Sequence, residues 1–262
     1  MLRDAGWVWE GIGLDPGVEP SIFGVGEGAA YFGLARACYL FHPNTELALG
    51  KLSHLAEVVC DITKWTFLEV PQPEGGAAFK SHLDGRPERV LAEAQQVARL
   101  AGRFPHLTGA ILDDMSALIN HQAYTPERHQ QVYAALKQGR PDLRLWAVVY
   151  SHELAADYWR PYLPGIDVVN LWVWDSGHLP ALVEHLERCR AALPGKPVVV
   201  GVYLRDYGHQ MPVPLPRLQA QFAAITQLLE QGLIEGFSIL GACLIDRHPE
   251  QAAWIRDYLA GR

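Results

Sequence analysis

Two adjacent carboxylates, Asp113 and Asp114, close a short apolar run, Leu107-Thr108-Gly109-Ala110-Ile111-Leu112. A run of that length bounded by glycine and charge has the pattern of a buried parallel strand. Acids placed where such a strand ends are where α/β sheets keep their chemistry. Two carboxylates in unlike surroundings can divide the work, one protonated and one ionised. Neighbouring residues on a strand point to opposite sides, however, so Asp113 and Asp114 cannot simply form that pair. A partner must come from another strand end. Asp175 comes first because Trp172 and Trp174 stand beside it, followed by Asp61, Asp206 and Glu10.

Other apolar runs stop on chemically useful residues in the same way. Trp9 and Glu10 follow one, His42 and Asn44 a second, Asp61, Lys64 and Trp65 a third. Tyr150, His152 and Glu153 follow a later run, and Tyr203, Arg205, Asp206 and Tyr207 another. The catalytic candidates are Asp113, Asp114, Asp175 and Asp61. The substrate-binding candidates are Trp9, Glu10, His42, Lys64, Trp65, Tyr150, Trp172, Trp174, Tyr203 and Arg205. Acids mixed with aromatics suit sugars, whose apolar ring faces stack while their hydroxyls need polar partners. Cleaving a glycosidic bond needs one protonated carboxylic acid and a second carboxylate across the bond.

Each residue also has a plainer role to weigh. Asp113 or Asp114 could cap the next helix, Asp175-Ser176-Gly177 could be a turn, and one of the two Trp could be core. Arg205 could pair with a nearby acid or clamp an anionic substrate group. Lys64 could form a Schiff base, but a lone lysine is a weak signal for one. His42, Asp61, Asp113, His152, Asp175 and His209 could converge on a metal ion. No HxH or HExxH spacing supports that, so neither metal nor cofactor is expected. Gly24-Val25-Gly26-Glu27-Gly28-Ala29 fits a dinucleotide fingerprint only loosely, because Pro20 and Ser21 stand where a strand should lead in. Close helix packing by small residues is the stronger reading.

The elements that must position these residues repeat. Strands are expected at Gly6–Gly11, Arg36–His42, Glu57–Ile62, Leu107–Leu112, Leu143–Tyr150, Asp167–Val173, Val198–Leu204 and Gly236–Leu240. Helices are expected between nearly all of them. One covers Ser21–Phe32; another, over Arg86–Phe104, carries Val90, Leu91, Ala94, Val97, Ala98 and Ala101 on one stripe. Thr125-Pro126 opens a third with proline at its first position. A turn is expected at Asp15-Pro16-Gly17, and Thr66–Asp84 is the least regular stretch, with the character of a long functional loop. Eight uniformly apolar strands at roughly 30-residue spacing form the pattern of a (β/α)8 TIM barrel, taken here as a single domain over residues 1–262.

The bulk numbers agree. Hydrophobic residues make up 49% and charged residues 19% of 262, enough for a large core. A net charge of −7 disfavours nucleic acid as the main partner. Cys38, Cys60, Cys189 and Cys243 show no CxxC spacing and read as buried reduced thiols. With no leader pattern and no membrane-length apolar run, a soluble cytoplasmic protein is expected, its partner a small-molecule or oligosaccharide substrate.

Gly109-Ala110-Ile111-Leu112-Asp113-Asp114-Met115, Asp61 with Lys64-Trp65, and Trp172-Val173-Trp174-Asp175 together resemble the glycoside-hydrolase-like (β/α)8 barrel proteins of bacteria. The resemblance implies a barrel enzyme that hydrolyses carbohydrates by acid/base catalysis. The chain departs from the large retaining clan, which places Glu after the fourth and seventh strands where this chain has Asp113-Asp114 and Arg205-Asp206. It also lacks the DxxDxDxE run of chitinase-like barrels. A metal-dependent isomerase or hydrolase and a non-catalytic sugar-binding barrel are the alternatives.

Overall fold

The computed structural model describes residues 2–10, 21–71 and 77–261. Among these, eight parallel strands close into a barrel: β1 (Gly6–Trp9), β2 (Arg36–Tyr39), β3 (Glu57–Asp61), β4 (Leu107–Leu112), β5 (Arg144–Tyr150), β6 (Val168–Trp172), β7 (Val198–Tyr203) and β8 (Gly236–Leu240). Each strand pairs with the next in sequence. The ring closes where β1 pairs with β8, from Gly6 opposite Phe237 to Trp9 opposite Leu240. The strands are apolar throughout because one face meets the barrel interior and the other meets the helices. The expected TIM barrel is thus the observed one, with each strand within three residues of its expected bounds at either end.

Nine α-helices are described: α1 (Val25–Phe32), α2 (Glu46–Lys51), α3 (Pro87–Ala101), α4 (Met115–His121), α5 (Pro126–Gly139), α6 (Ala156–Trp159), α7 (Leu182–Ala192), α8 (Leu215–Glu230) and α9 (Pro249–Ala260). Thr125 caps α5 by accepting from the Arg128 amide, with Pro126 at the first helical position. α1 begins four residues later than expected. Ser21 instead donates to Asp246 Oδ1 at 2.6 Å, and the Ile22 amide reaches Asp246 Oδ2 at 3.2 Å, so this segment is clasped to the far end of the chain. The small residues of α1 serve packing: a Cβ on Gly28 would lie 2.8 Å from that of Ala242. The turn expected at Asp15-Pro16-Gly17 lies outside the described residues.

The stretch expected to be a long irregular loop is largely a β-hairpin. Trp65–Pro71 runs antiparallel to Ala77–Leu83, in register from Trp65 opposite Leu83 to Pro71 opposite Ala77. Trp65, Thr66, Phe67 and Val70 are strand-forming types, whereas Pro71 ends one strand, and Pro73, Gly75 and Gly76 lie outside the described residues.

The barrel interior holds a polar knot among aromatics. Asn170 donates to the Val199 carbonyl and to Ser238 Oγ, both at 3.0 Å, and its Oδ1 accepts from Trp172 Nε1 at 3.0 Å. Trp7 meets Trp146 edge-on with ring centres 4.8 Å apart, and Trp9 meets Trp172 at 5.1 Å. Such edge-to-face pairs add to the burial of large rings. Gly201 makes room for this layer, since a Cβ there would fall 2.1 Å from the Trp172 ring.

Candidate active site

The carboxyl ends of the strands carry unusual backbone. Phe41, Lys64 and Asp114 follow β2, β3 and β4, and all three have positive φ, at 61°, 49° and 49°. Non-glycine residues in that region cost energy, and such strain collects at functional sites. Asp114 therefore leaves the strand direction at once. Asp113 stays buried, while Asp114 turns toward a cleft in front of α4.

That cleft, of about 410 Å³, is lined by Asp114, Ser116, Ala117, Asn120, His121, Tyr150, His152, Glu153 and Trp174. Tyr150, the last residue of β5, donates its phenol to Asp114 Oδ1 at 2.6 Å. Burial holds that phenol well above its ordinary pKa, with the charges of Tyr203, Asp114 and Asp113 adding to the effect, so it remains a donor. Asp114 itself is raised above the usual aspartate value. Burial is the main cause, the Tyr150 hydrogen bond opposes it, and the neighbouring charges of Glu153 and Asp61 reinforce it.

Glu153 reaches the same cleft from the turn after β5. Its Oε1 accepts from Ser116 Oγ at 2.6 Å and its Oε2 from the Tyr150 amide at 3.3 Å. Tyr150 therefore holds both carboxyl groups, Asp114 through its phenol and Glu153 through its amide. The sequence offered Glu153 only as one of several residues at a strand end. Its register three residues beyond Tyr150 was the available signal, but the Ser116 contact that fixes it depends on α4, a helix not expected from the pattern.

Aromatic rings continue the cleft wall. The Tyr150 and His152 rings stack with centres 5.6 Å apart, and Trp174 meets Tyr150 edge-on at 5.8 Å and stacks on Tyr207 at 5.2 Å. Trp174 is 43% exposed, whereas Trp172 is 2% exposed. The two tryptophans, alike in the sequence, part company because Trp172 is the last residue of β6 whereas Trp174 lies beyond the strand end, where the chain has turned onto the rim. Trp9 is core as well, and Tyr203 is buried against Trp172, with ring centres 4.5 Å apart.

The other candidates sit elsewhere on the rim. Asp61 is fully buried and closes the turn after β3, accepting from Thr63 N at 2.7 Å, Thr63 Oγ1 at 2.6 Å and Lys64 N at 3.1 Å. With two backbone amides and the Thr63 hydroxyl as donors, it has the pattern of a turn-forming carboxylate. Lys64 Nζ donates to the His42 carbonyl at 2.8 Å, and Trp65 heads the hairpin. Glu10 is buried, accepts from the Leu40 amide at 3.0 Å and lies 3.7 Å from His42 Nε2. Burial drives its carboxyl up to about 8, against the Leu40 hydrogen bond and the Lys64 charge. Burial also lowers His42, with Lys64 adding repulsion. Arg205 is buried after β7.

Asp175, the expected partner of Asp114, belongs to a different group. Its Oδ1 accepts from the Gly177 amide at 2.7 Å and lies 3.8 Å from His209 Nδ1. Asp206 lies 3.2 Å from the same nitrogen and accepts from Ser176 Oγ and Ser176 N. Burial would raise the Asp206 carboxyl, but the hydrogen bonds from Ser176 and His209 outweigh it and hold it below its usual value.

The eight parallel strands and the helices between them define a (β/α)8 barrel. In structure the chain is similar to an α-L-fucosidase-like protein from Bacteroides thetaiotaomicron, with a TM-score of 0.62 and 10% identity over 99% of this chain and 94% of that one. It is also similar to a β-D-glucuronidase of Dictyoglomus thermophilum (TM-score 0.55, 12% identity, 99% of this chain and 50% of that one) and a family 18 chitinase from Crocus vernus (0.54, 11%, 97% and 99%). Identities this low establish the shared fold alone. No family model matches the sequence. Among curated proteins, part of the chain is similar to glycerol-3-phosphate acyltransferases, at 30% identity over 118 residues in Xylella fastidiosa strain M12 and 27% over 163 residues in Xanthomonas axonopodis pv. citri. These matches cover 43% and 59% of this chain but only 14% and 17% of those enzymes. No described helix is long and apolar enough to cross a membrane.

Proposed function

We propose that the chain is a glycoside hydrolase, working as one barrel unit, and that Asp114 and Glu153 are its two working carboxyl groups. The observation that carries this reading is their convergence on one cleft of about 410 Å³ walled by Tyr150, His152 and Trp174. Asp114, raised by burial, is suited to remain protonated and to donate its proton to the leaving-group oxygen. Tyr150 occupies Oδ1, which leaves the proton on Oδ2. Glu153, fixed by Ser116 and Tyr150, supplies the second carboxylate, either attacking the anomeric carbon directly or activating a water. Trp174 and His152 offer flat faces for sugar rings. The expected partner of Asp114 is thus replaced: Glu153 takes the place first given to Asp175.

The test is hydrolysis of a panel of aryl glycosides and oligosaccharides by the wild type, Asp114→Asn and Glu153→Gln. Either substitution is expected to lower kcat by about 10²–10⁴-fold with the fold unchanged by circular dichroism. The anomer first released separates direct attack from water activation. Full activity in both variants, or a panel bound but never cleaved, refutes the assignment; the second outcome supports a sugar-binding barrel instead.

A further inference from the structure

Asp175, Asp206 and His209 stand apart from the Asp114–Glu153 cleft, and the proposed hydrolysis does not use them. Their three donor atoms all lie within 4.8 Å of one another. The individual separations are 3.2 Å from His209 Nδ1 to Asp206 Oδ2 and 3.8 Å from His209 Nδ1 to Asp175 Oδ1. Bonds of about 2.0–2.2 Å from nitrogen and oxygen to one ion place neighbouring donors roughly 3–3.6 Å apart. The His209 nitrogen is therefore within a few tenths of an ångström of coordination spacing from each carboxylate, and the two carboxylates approach to within 4.8 Å.

We propose that Asp175, Asp206 and His209 form a binding site for a single divalent transition-metal ion of the zinc type. The donor set is one imidazole and two carboxylates. The nitrogen selects a first-row transition ion over magnesium or calcium, which prefer oxygen alone. The ion enters at the position where a proton otherwise links His209 Nδ1 to Asp206. The imidazole binds neutral through Nδ1, with its one ring proton on Nε2.

The supports around the ligands are those a metal site needs. Asp206 is 2% exposed and is oriented by Ser176 Oγ, by Ser176 N and by the His209 amide at 3.1 Å. Arg217 donates to Ser176 Oγ at 2.8 Å, which fixes the hydroxyl that orients Asp206. His209 is more than half exposed, so the remaining coordination positions face outward, beside the Trp174–Tyr207 stack. A second observation is independent of the cluster. Behind Asp206 and Ser176 lies a cavity of about 10 Å³ lined in part by Gln221, which is 2% exposed. Gln221 donates to the Gly201 carbonyl, but its Oε1 has no hydrogen-bond partner. An unpartnered buried acceptor in the same small cavity as Asp206 marks a place for a bound water beside that carboxylate.

The test is calorimetric titration of Zn²⁺ and Mg²⁺ into the metal-free full chain near pH 7.5, repeated with His209→Ala, Asp175→Asn and Ser176→Ala. One zinc ion per chain is expected, with His209→Ala abolishing one-to-one binding and Ser176→Ala weakening it by about 10–100-fold. Cobalt loading provides a second reading: visible absorption of a low-coordinate site should appear in the wild type and vanish in His209→Ala. No stoichiometric zinc binding refutes the site. Equal binding by wild type and His209→Ala places zinc on other histidines and also refutes it. Magnesium binding as tight as zinc overturns the role given to His209. None of these outcomes depends on glycosidase activity.

Discussion

Asp114 is the acid of the proposed reaction, and its backbone explains how it reaches the cleft. A left-handed residue at the end of β4 diverts its side chain from the strand direction, where Asp113 remains buried. The raised carboxyl carries a pH signature. A general acid works only while protonated, so activity should fall as pH rises through its elevated value. The Tyr150 bond lowers that value. Tyr150→Phe should therefore move the alkaline limb of kcat/KM upward, as a pH–rate profile would show. Glu10 gives a prediction about stability. Its folded value of about 8 lies above that of an exposed glutamate, so the native state holds more protons than the unfolded chain between roughly pH 4.5 and 8. Stability should decline across that window by at most about 1.4 kcal/mol per pH unit from this group. Glu10→Gln should flatten the decline, measured by urea unfolding at pH 5 and pH 8; an unchanged slope would show that Glu10 is not the group responsible.

At the scale of the elements, close approaches limit what the barrel tolerates. α3 and α5 touch backbone to backbone at Gly139, where a Cβ would lie 2.3 Å from the Ala98 carbonyl oxygen. Gly139→Ala should force the helices apart and cost about 1–3 kcal/mol, seen as a lower denaturation midpoint. Inside the barrel, Asn170 links β6 to β7 and β8. Asn170→Ala strands the Trp172 indole N–H and should cost about 1–3 kcal/mol in the same measurement. Removal of the hydroxyl in Ser238→Ala should cost less, because Asn170 keeps the Val199 carbonyl.

Across the whole molecule, the eight strand ends bring together groups far apart in sequence. Trp174 is the piece shared by several of them: it touches Tyr150 from β5, Tyr203 from β7 and Tyr207 beyond it. Trp174→Ala should weaken oligosaccharide binding by about tenfold, read by calorimetry, with less effect on the folded stability because the ring is largely exposed. An equal affinity in the variant would remove the stacking wall from the proposed site.

The architecture was legible because its signal is local. Apolar runs such as Leu107–Leu112 and Val198–Tyr203, each followed by a helix, need no knowledge of distant contacts to be recognised. The rim position of Asp114 followed from the strand that precedes it. Sequence alone did not decide which acid works with it. Asp175 and Glu153 were both strand-end acids, and only the helix at Met115–His121 brings Ser116 to Glu153 while the turn at Ser176 draws Asp175 toward His209. Trp172 and Trp174 were equivalent in type and setting, and only the closed barrel buries one and exposes the other. Strand identity depends on periodicity along the chain, which the sequence carries by itself. Side-chain partnership at the rim depends on loop geometry across strands, which exists only once the barrel has closed.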